Sequence, residues 1–223
     1  PMAPQGNGAA LGPVAMLRMG FNRVKAHTKG LAKNKPLLIF LIAFLFYNDG
    51  IQTVISMATI YGKEELGFST TTLMLTLLMI QFVGIFGALA FSRLAGKITA
   101  RRAIMLALVL WTGVVVYAYF LTQPWEYYVL GGIVGLVLGG SQALSRSLYA
   151  SMIPKENSAE YFGYFSVVFK FSSIVGPLVF AMVTQATGSS RGAILSLVVF
   201  FVVGLVLLGV LGQVMKRKGA ESA

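Results

Sequence analysis

The chain has 223 residues, 57% of them hydrophobic and only 11% charged, with a mean hydropathy of +0.78 and a formal net charge of +11. A soluble domain is nearer half apolar and a quarter charged. The composition therefore points to an all-α polytopic membrane protein, and its continuously apolar segments exclude a transmembrane barrel, whose strands alternate. There is no cysteine and a single histidine, His27, so neither a thiolate or imidazole metal site nor a Ser-His-Asp triad has material; no enzyme activity, metal or cofactor is expected.

Residues 1–13 are rich in Gly, Pro and Ala and read as a linker. In the next stretch, 14–35, Val14, Leu17, Phe21 and Val24 recur at helical spacing among Arg and Lys. That pattern fits a basic amphipathic helix on the cytoplasmic face or a solvated linker. The chain opens on Pro1 without a signal-peptide pattern, which reads as a fragment of a longer protein. A transmembrane domain of 36–215 then carries six spans, placed near 37–60, 71–92, 103–121, 127–149, 161–184 and 192–214, and a basic tail of 216–223 follows. Each span has about twenty residues, enough for a hydrocarbon core of ~30 Å at ~1.5 Å per residue. The breaks between them, such as "TQPWE" and "QATGSSR", are short and force consecutive helices to be antiparallel neighbours.

The charges test this assignment. With the N-terminus in the cytoplasm, the cytoplasmic segments hold Arg18, Arg23, Lys25, Lys29, Lys33 and Lys35, then Arg93, Lys97, Arg101 and Arg102, then Arg146 and Lys155, then Lys216, Arg217 and Lys218. The opposite side holds only Lys63 and Arg191. Alternate loops obey the positive-inside rule throughout, so both termini are expected in the cytoplasm, of a bacterial inner membrane. Topology and anionic headgroups account for the net charge, with no nucleic acid as a partner.

Polar residues inside the spans are the functional candidates. Asp49 lies near the centre of the first span, in "FYNDGIQT", with Asn48 beside it and Gln52 close to the same face. A carboxylate at that depth costs ~2.5–3.5 kcal/mol on insertion scales, so it is expected to face the bundle interior or a wet cavity. Lys170, in the fifth span, lies at a matching depth: at 1.5 Å per residue the two differ by only a few ångströms. An Asp49–Lys170 ion pair is therefore expected, either as a tie between helices or as a gate that titrates with substrate. Gln81 and Gln142 either glue helices or line the same path. Arg146, one turn after Gln142, either snorkels to headgroups or closes a cytoplasmic gate.

The glycines carry packing information. "GGIVGLVLGGSQALSRS" lacks the G-K-[ST] ending of a phosphate loop and lies inside an apolar helix. Gly131, Gly135 and Gly139 form a smooth face for close helix approach, and Gly84 with Ala88 a smaller one. Gly176-Pro177 removes a backbone bond and predicts a kink in the fifth span, with Ser172 and Ser173 placed to re-satisfy freed backbone groups.

The stretches "FLFYNDGIQTVISMATIYG", "GGSQALSRSLYASMIP", "AEYFGYFSVVFKFSSIVGPLVF" and "TGSSRGAILSL" resemble the C-terminal six-helix half of a major facilitator superfamily transporter, and within it the "unknown major facilitator" group related to fungal vacuole effluxers that export amino acids. The resemblance covers nearly all of residues 36–200. It implies a twelve-helix fold of two halves around a cavity, with the first and fourth spans (Asn48, Asp49, Gln52, Gln142) lining it and the second and fifth (Gln81, Lys170) flanking it. One stretch departs from the family pattern: "RLAGKITARR" keeps Arg93, Arg101 and Arg102, but Gly96 stands for the usual acid and Thr99 for the usual glycine. The charge relay and the tight turn of this loop are therefore in question.

The function expected is half of a secondary transporter that moves a small polar solute, an amino acid by resemblance, through alternating access around a midplane site. Its partners are the bilayer, the solute, and either the missing N-terminal half or a second copy of the chain. The alternative is a non-transporting membrane interaction module left after loss of the other half.

Overall fold

A computed structural model of the chain describes residues 34–221. The possible amphipathic segment, nearly all of the linker and His27 lie outside the described residues. The elements are α1 (Lys35–Ile60), continued by one π-helical turn (Tyr61–Glu65), α2 (Thr70–Ile98), α3 (Ala100–Phe120), α4 (Pro124–Ala150), a 3-10 turn (Lys155–Asn157), α5 (Ser158–Phe171), α6 (Val175–Thr187), α7 (Ser190–Ser196) and α8 (Val198–Glu221). Among the described residues six stretches are long and apolar enough to cross a membrane, the fifth made of α5 and α6 and the sixth of α7 and α8. No strand occurs among the described residues.

The helix starts follow local rules. Pro36 occupies the first turn of α1 and Pro124 that of α4, where a missing N–H costs nothing. The Ser69 hydroxyl accepts from the Thr72 amide at 3.2 Å and caps α2. Glu126 reaches back to the amides of Gln123 (2.9 Å) and Thr122 (3.0 Å), closing a capping box at α4.

Three boundaries differ from the sequence expectation. The predicted loop after the second span is mostly helix: α2 runs through Arg93, Gly96 and Lys97 to Ile98, and α3 begins at Ala100. The whole reversal falls on Thr99, at φ 88° and ψ 145°. The tight turn thus forms without glycine, at the one non-glycine residue of positive φ among those described, a position that strains a β-branched side chain. In the fifth span the expected kink is a break: Ser172–Ile174 leave the helix between α5 and α6. Pro177 has no N–H to donate, and its ring would meet the carbonyl of Ser173 in a continuous helix. At the C-terminus, α8 continues as helix to Glu221, through the stretch read as a tail.

The tightest helix pair is α2 with α4. A Cβ at Gly135 would come within 2.8 Å of the Ile80 carbonyl, one at Gly131 would overlap Thr76, and one at Gly139 the Gly84 backbone. On α2, Gly87 lies equally close to the backbone of Leu136. α1 packs on α8, where Gly204 faces Tyr47 and Gly50 faces Phe200 and Phe201. Fully buried Trp111 of α3 stacks on Phe201 at 5.7 Å. The second and fifth spans are the least buried. α2 presents Leu78, Phe82 and Phe86 outward, and the fifth span Val167, Phe171 and Leu178.

Candidate functional site

Asp49 is the only aspartate of the chain, and it is 3% exposed at the centre of α1. Its Oδ2 accepts a hydrogen bond from the Gly176 amide at 2.9 Å. Gly176 is the second residue of α6, so a carboxylate of the first span caps a helix of the fifth. The first amides of any helix lack an internal acceptor, and the end carries partial positive charge. Here both needs are met from another span, because the break opens an amino end against α1.

The surrounding groups complete the break. Asn48 Nδ2 donates to Ser172 Oγ at 2.5 Å, and Ser172 donates on to the Phe169 carbonyl at 2.8 Å. Ser173 donates to the Lys170 carbonyl at 2.8 Å. The two serines therefore satisfy carbonyls freed at the end of α5. The Thr53 hydroxyl donates to the Asp49 carbonyl at 2.7 Å. A side chain at Gly176 would overlap Thr53 Oγ1 and come within 3.0 Å of Asp49 Oδ1, so glycine is required for the approach. Pro177 follows it, half-buried. Asp49 Oδ1 is buried and, among the described residues, has no partner at full hydrogen-bond geometry, although the Val175 amide also lies by the carboxylate. Asp49 adjoins a cavity of about 350 Å³ whose walls include Phe46, Phe171, Ile174 and Phe200.

The expected Asp49–Lys170 ion pair does not form. Lys170 is exposed on one face of α5 with Val167 and Phe171, and the ion pair seen among the described residues is Arg191–Glu65. The physical reason is the break itself: it supplies backbone donors to the carboxylate and leaves the ammonium on the outward face. Of the other candidates, Gln52 and Gln142 are half-buried and Gln81 is exposed, and none is bonded to Asp49. Arg93, Arg102 and Arg146 are exposed. Arg101 is half-buried and donates to the Leu208 carbonyl at 3.1 Å, bracing α3 on α8. The structure thus gathers Asn48, Asp49, Gly176 and Pro177 at one point and leaves Gln81 and Lys170 facing outward on the second and fifth spans.

Two networks escaped the sequence. Tyr47 bonds Ser145 at 2.6 Å, Ser145 donates to the Ser141 carbonyl, and the Trp111 indole donates to Ser141 Oγ at 3.1 Å, linking α1, α4 and α3. The spacing of Ser141 and Ser145, one turn apart beside Gln142, is the signal that could have found it. At the opposite end from the basic loops, Glu65 accepts from the Ser190 amide at 3.1 Å and pairs with Arg191 at 3.3 Å, while Arg191 donates to the Tyr119 carbonyl at 2.8 Å. Chemically, the Asp49 site offers one carboxylate, an amide and hydroxyls; among the described residues no cluster of His, Cys, Asp and Glu is placed to hold a metal ion.

Comparison with known proteins agrees with this architecture. A protein of Bacillus subtilis named "Uncharacterized MFS-type transporter YxiO" is 37% identical over 188 residues, which is 84% of this chain and 44% of that protein. Autophagy-related protein 22-2 of Aspergillus clavatus is 30% identical over 216 residues, covering 89% of this chain and 35% of the relative. Autophagy-related protein 22 of Kluyveromyces lactis is 29% identical over 200 residues, covering 85% and 41%. The chain therefore spans less than half the length of these relatives. The profile of a family described as "Vacuole effluxer Atg22 like" matches residues 3–221, a description of transport rather than enzyme chemistry, and the chain belongs to this vacuole effluxer Atg22-like family.

Proposed function

We propose that the chain forms half of a secondary transporter that carries a small polar solute, an amino acid, across the membrane by alternating access. The observation that carries the reading is the state of Asp49. A helix cap needs only an acceptor, and an amide would supply one without a carboxylate's insertion cost of ~2.5–3.5 kcal/mol. Asp49 keeps a second oxygen that no described residue bonds at full geometry, beside a cavity, which a purely structural tie does not need and a proton-carrying group does. Asp49 is therefore the coupling carboxylate, Asn48 and Gln52 stand on the same helix as polar wall residues, and Gln81, Gln142 and Lys170 belong to the solute path. Lys170 and Gln81 face outward at a depth where lipid penalises them. That supports a covering partner, either an N-terminal six-helix half or a second copy. The non-transporting alternative shares the covered surface and differs in needing no free carboxylate oxygen. Basic loops on one side support cytoplasmic termini in a bacterial inner membrane.

The test is flux in proteoliposomes that contain the chain joined to, or co-expressed with, its partner half. Uptake of labelled amino acids under an imposed proton gradient is expected for the native protein and is lost in Asp49→Asn at unchanged melting temperature. Full flux in Asp49→Asn would remove the carboxylate from the mechanism. A stable, monodisperse monomer of the isolated chain in detergent would remove the half-transporter reading.

A further inference from the structure

A second cavity, of about 510 Å³, opens at the end of the bundle that carries the basic loops, between α3, α4 and α8. Arg101, Arg102 and Lys216 line it together with Gly212 and the apolar Leu148 and Met215. Among the described residues none of these three cations is in an ion pair. Their mutual repulsion therefore has no acidic counterweight within the site. Nor is the cluster a set of free surface side chains. The Arg101 guanidinium lies on Gly212, where an added Cβ would overlap it, and its Nη1 is tied to the Leu208 carbonyl at 3.1 Å. Thr99 and the first turn of α3 form another wall, and no side chain caps that helix end. A pinned guanidinium, two further cations and uncapped amides all favour one kind of guest, a compact anion with several acceptor oxygens.

We infer that this cavity is a binding site for a phosphate group, set between the ends of the third, fourth and sixth spans. Two sources carry that chemistry: the headgroup of an anionic phospholipid, whose chains Leu148 and Met215 would meet, and free phosphate. Basic pockets between membrane helices hold lipid headgroups by the same forces, at ~1 kcal/mol per cation, or roughly fivefold in affinity.

The experiment is native mass spectrometry of the chain extracted in detergent together with its partner half or second copy, titrated with phosphatidylglycerol, phosphatidylcholine or inorganic phosphate. Phosphatidylglycerol is expected to bind more tightly than phosphatidylcholine. Arg102→Gln and Lys216→Gln, both at exposed residues, are each expected to weaken that binding roughly fivefold. Gly212→Val changes no charge but displaces the Arg101 guanidinium, and is expected to weaken it similarly. Inorganic phosphate that competes at the affinity of the lipid assigns the site to soluble phosphate; failure to compete assigns it to the headgroup. The inference is overturned if the paired variant Arg93→Gln/Lys97→Gln, outside the cavity on the same membrane face, weakens binding as much. Full binding by the cavity variants, or no preference for either anion, overturns it equally.

Discussion

If Asp49 holds α6 by accepting from Gly176, the quantity to measure is the value of that acceptor, separated from the charge. Asp49→Asn keeps a side-chain oxygen within reach of the amide, and Asp49→Leu is similar in size but has none. Neither variant is charged, so the cost of burying a carboxylate cancels between them. What differs is a buried N–H left unpaired, worth ~1–3 kcal/mol; Gly176 is itself buried, so water does not replace the acceptor. For a domain of this size 1 kcal/mol moves the melting temperature by about 2–4 °C. Asp49→Leu is therefore expected to melt roughly 2–12 °C below Asp49→Asn, read by intrinsic fluorescence on heating in one detergent. Equal melting temperatures would refute the cap. Lys170 supplies the internal control. Because it faces outward, Lys170→Met combined with Asp49→Leu is expected to be additive within ~0.5 kcal/mol. A coupling well above that would restore the ion pair the structure does not contain.

Other perturbations probe the scaffold. Thr99→Gly relieves a positive φ of 88° and is expected to stabilise the protein by ~1–3 kcal/mol; a lower melting temperature would show that the Thr99 side chain has a compensating role. Gly139→Ala places a methyl on the Gly84 backbone, whereas Gly132→Ala meets nothing within 4 Å. The first is expected to cost ~1–3 kcal/mol and the second to be neutral or slightly stabilising, and similar effects at both would contradict the α2–α4 packing. Glu65→Ala removes a cap and an ion pair at residues 23–29% exposed; an expected loss of ~1–2 kcal/mol, shrinking with added salt, is checked by melting in low and high ionic strength. Single cysteines at exposed Lys63 and Gln123 are expected to react with an impermeant thiol reagent from outside intact cells, and those at exposed Gly96 and Asn157 only after lysis; the reverse pattern would invert the topology.

The legible and illegible parts of this protein separate along a physical line. Hydropathy reports where a chain enters and leaves hydrocarbon, and six such passages were readable because each apolar run is bounded by charge. Hydropathy does not report where a helix ends. α2 continues through Arg93 and Lys97 because "SRLAGKI" has no proline and its one glycine, Gly96, costs only about 1 kcal/mol in a helix; the stretch only leaves the membrane. The depth of Asp49 was readable by counting residues, but its partner was not. Depth fixes position along the bundle axis and says nothing of rotation about each helix, and the break at Ser172–Ile174 supplied a backbone donor that sequence spacing does not show. Pro177 signalled a disturbance; that the disturbance exposes amides rather than bending the helix depends on α1 being there to accept from Gly176. The reversal at Thr99 was hidden for the opposite reason, since β-branched residues argue against the conformation it adopts.

Two acidic side chains of the first span, Asp49 and Glu65, do the same job at two depths. Asp49 accepts from the amide of Gly176 at the start of α6, and Glu65 accepts from that of Ser190 at the start of α7. Only Gly188 and Ser189 separate α6 from α7, so α6 is tied to the first span directly at one end and through Glu65 at the other. α5 is held by the Tyr149 hydroxyl donating to the Tyr161 carbonyl at 2.7 Å, by the Asn48–Ser172 hydrogen bond just past its end, and by ring packing, with Phe44 4.4 Å from Phe165. Polar bonds with strict geometry thus hold both ends of the α6 half of the fifth span to the first span, while the α5 half meets Phe44 of that span through ring contacts, which tolerate sliding. Under the transporter reading, a rocking motion of this span concentrates at Ser172–Ile174, where the backbone is already outside the helical ladder. The carboxylate that would carry the proton is the group that closes that hinge. Its occupancy and the angle between α5 and α6 are then one equilibrium, which is the coupling that alternating access requires.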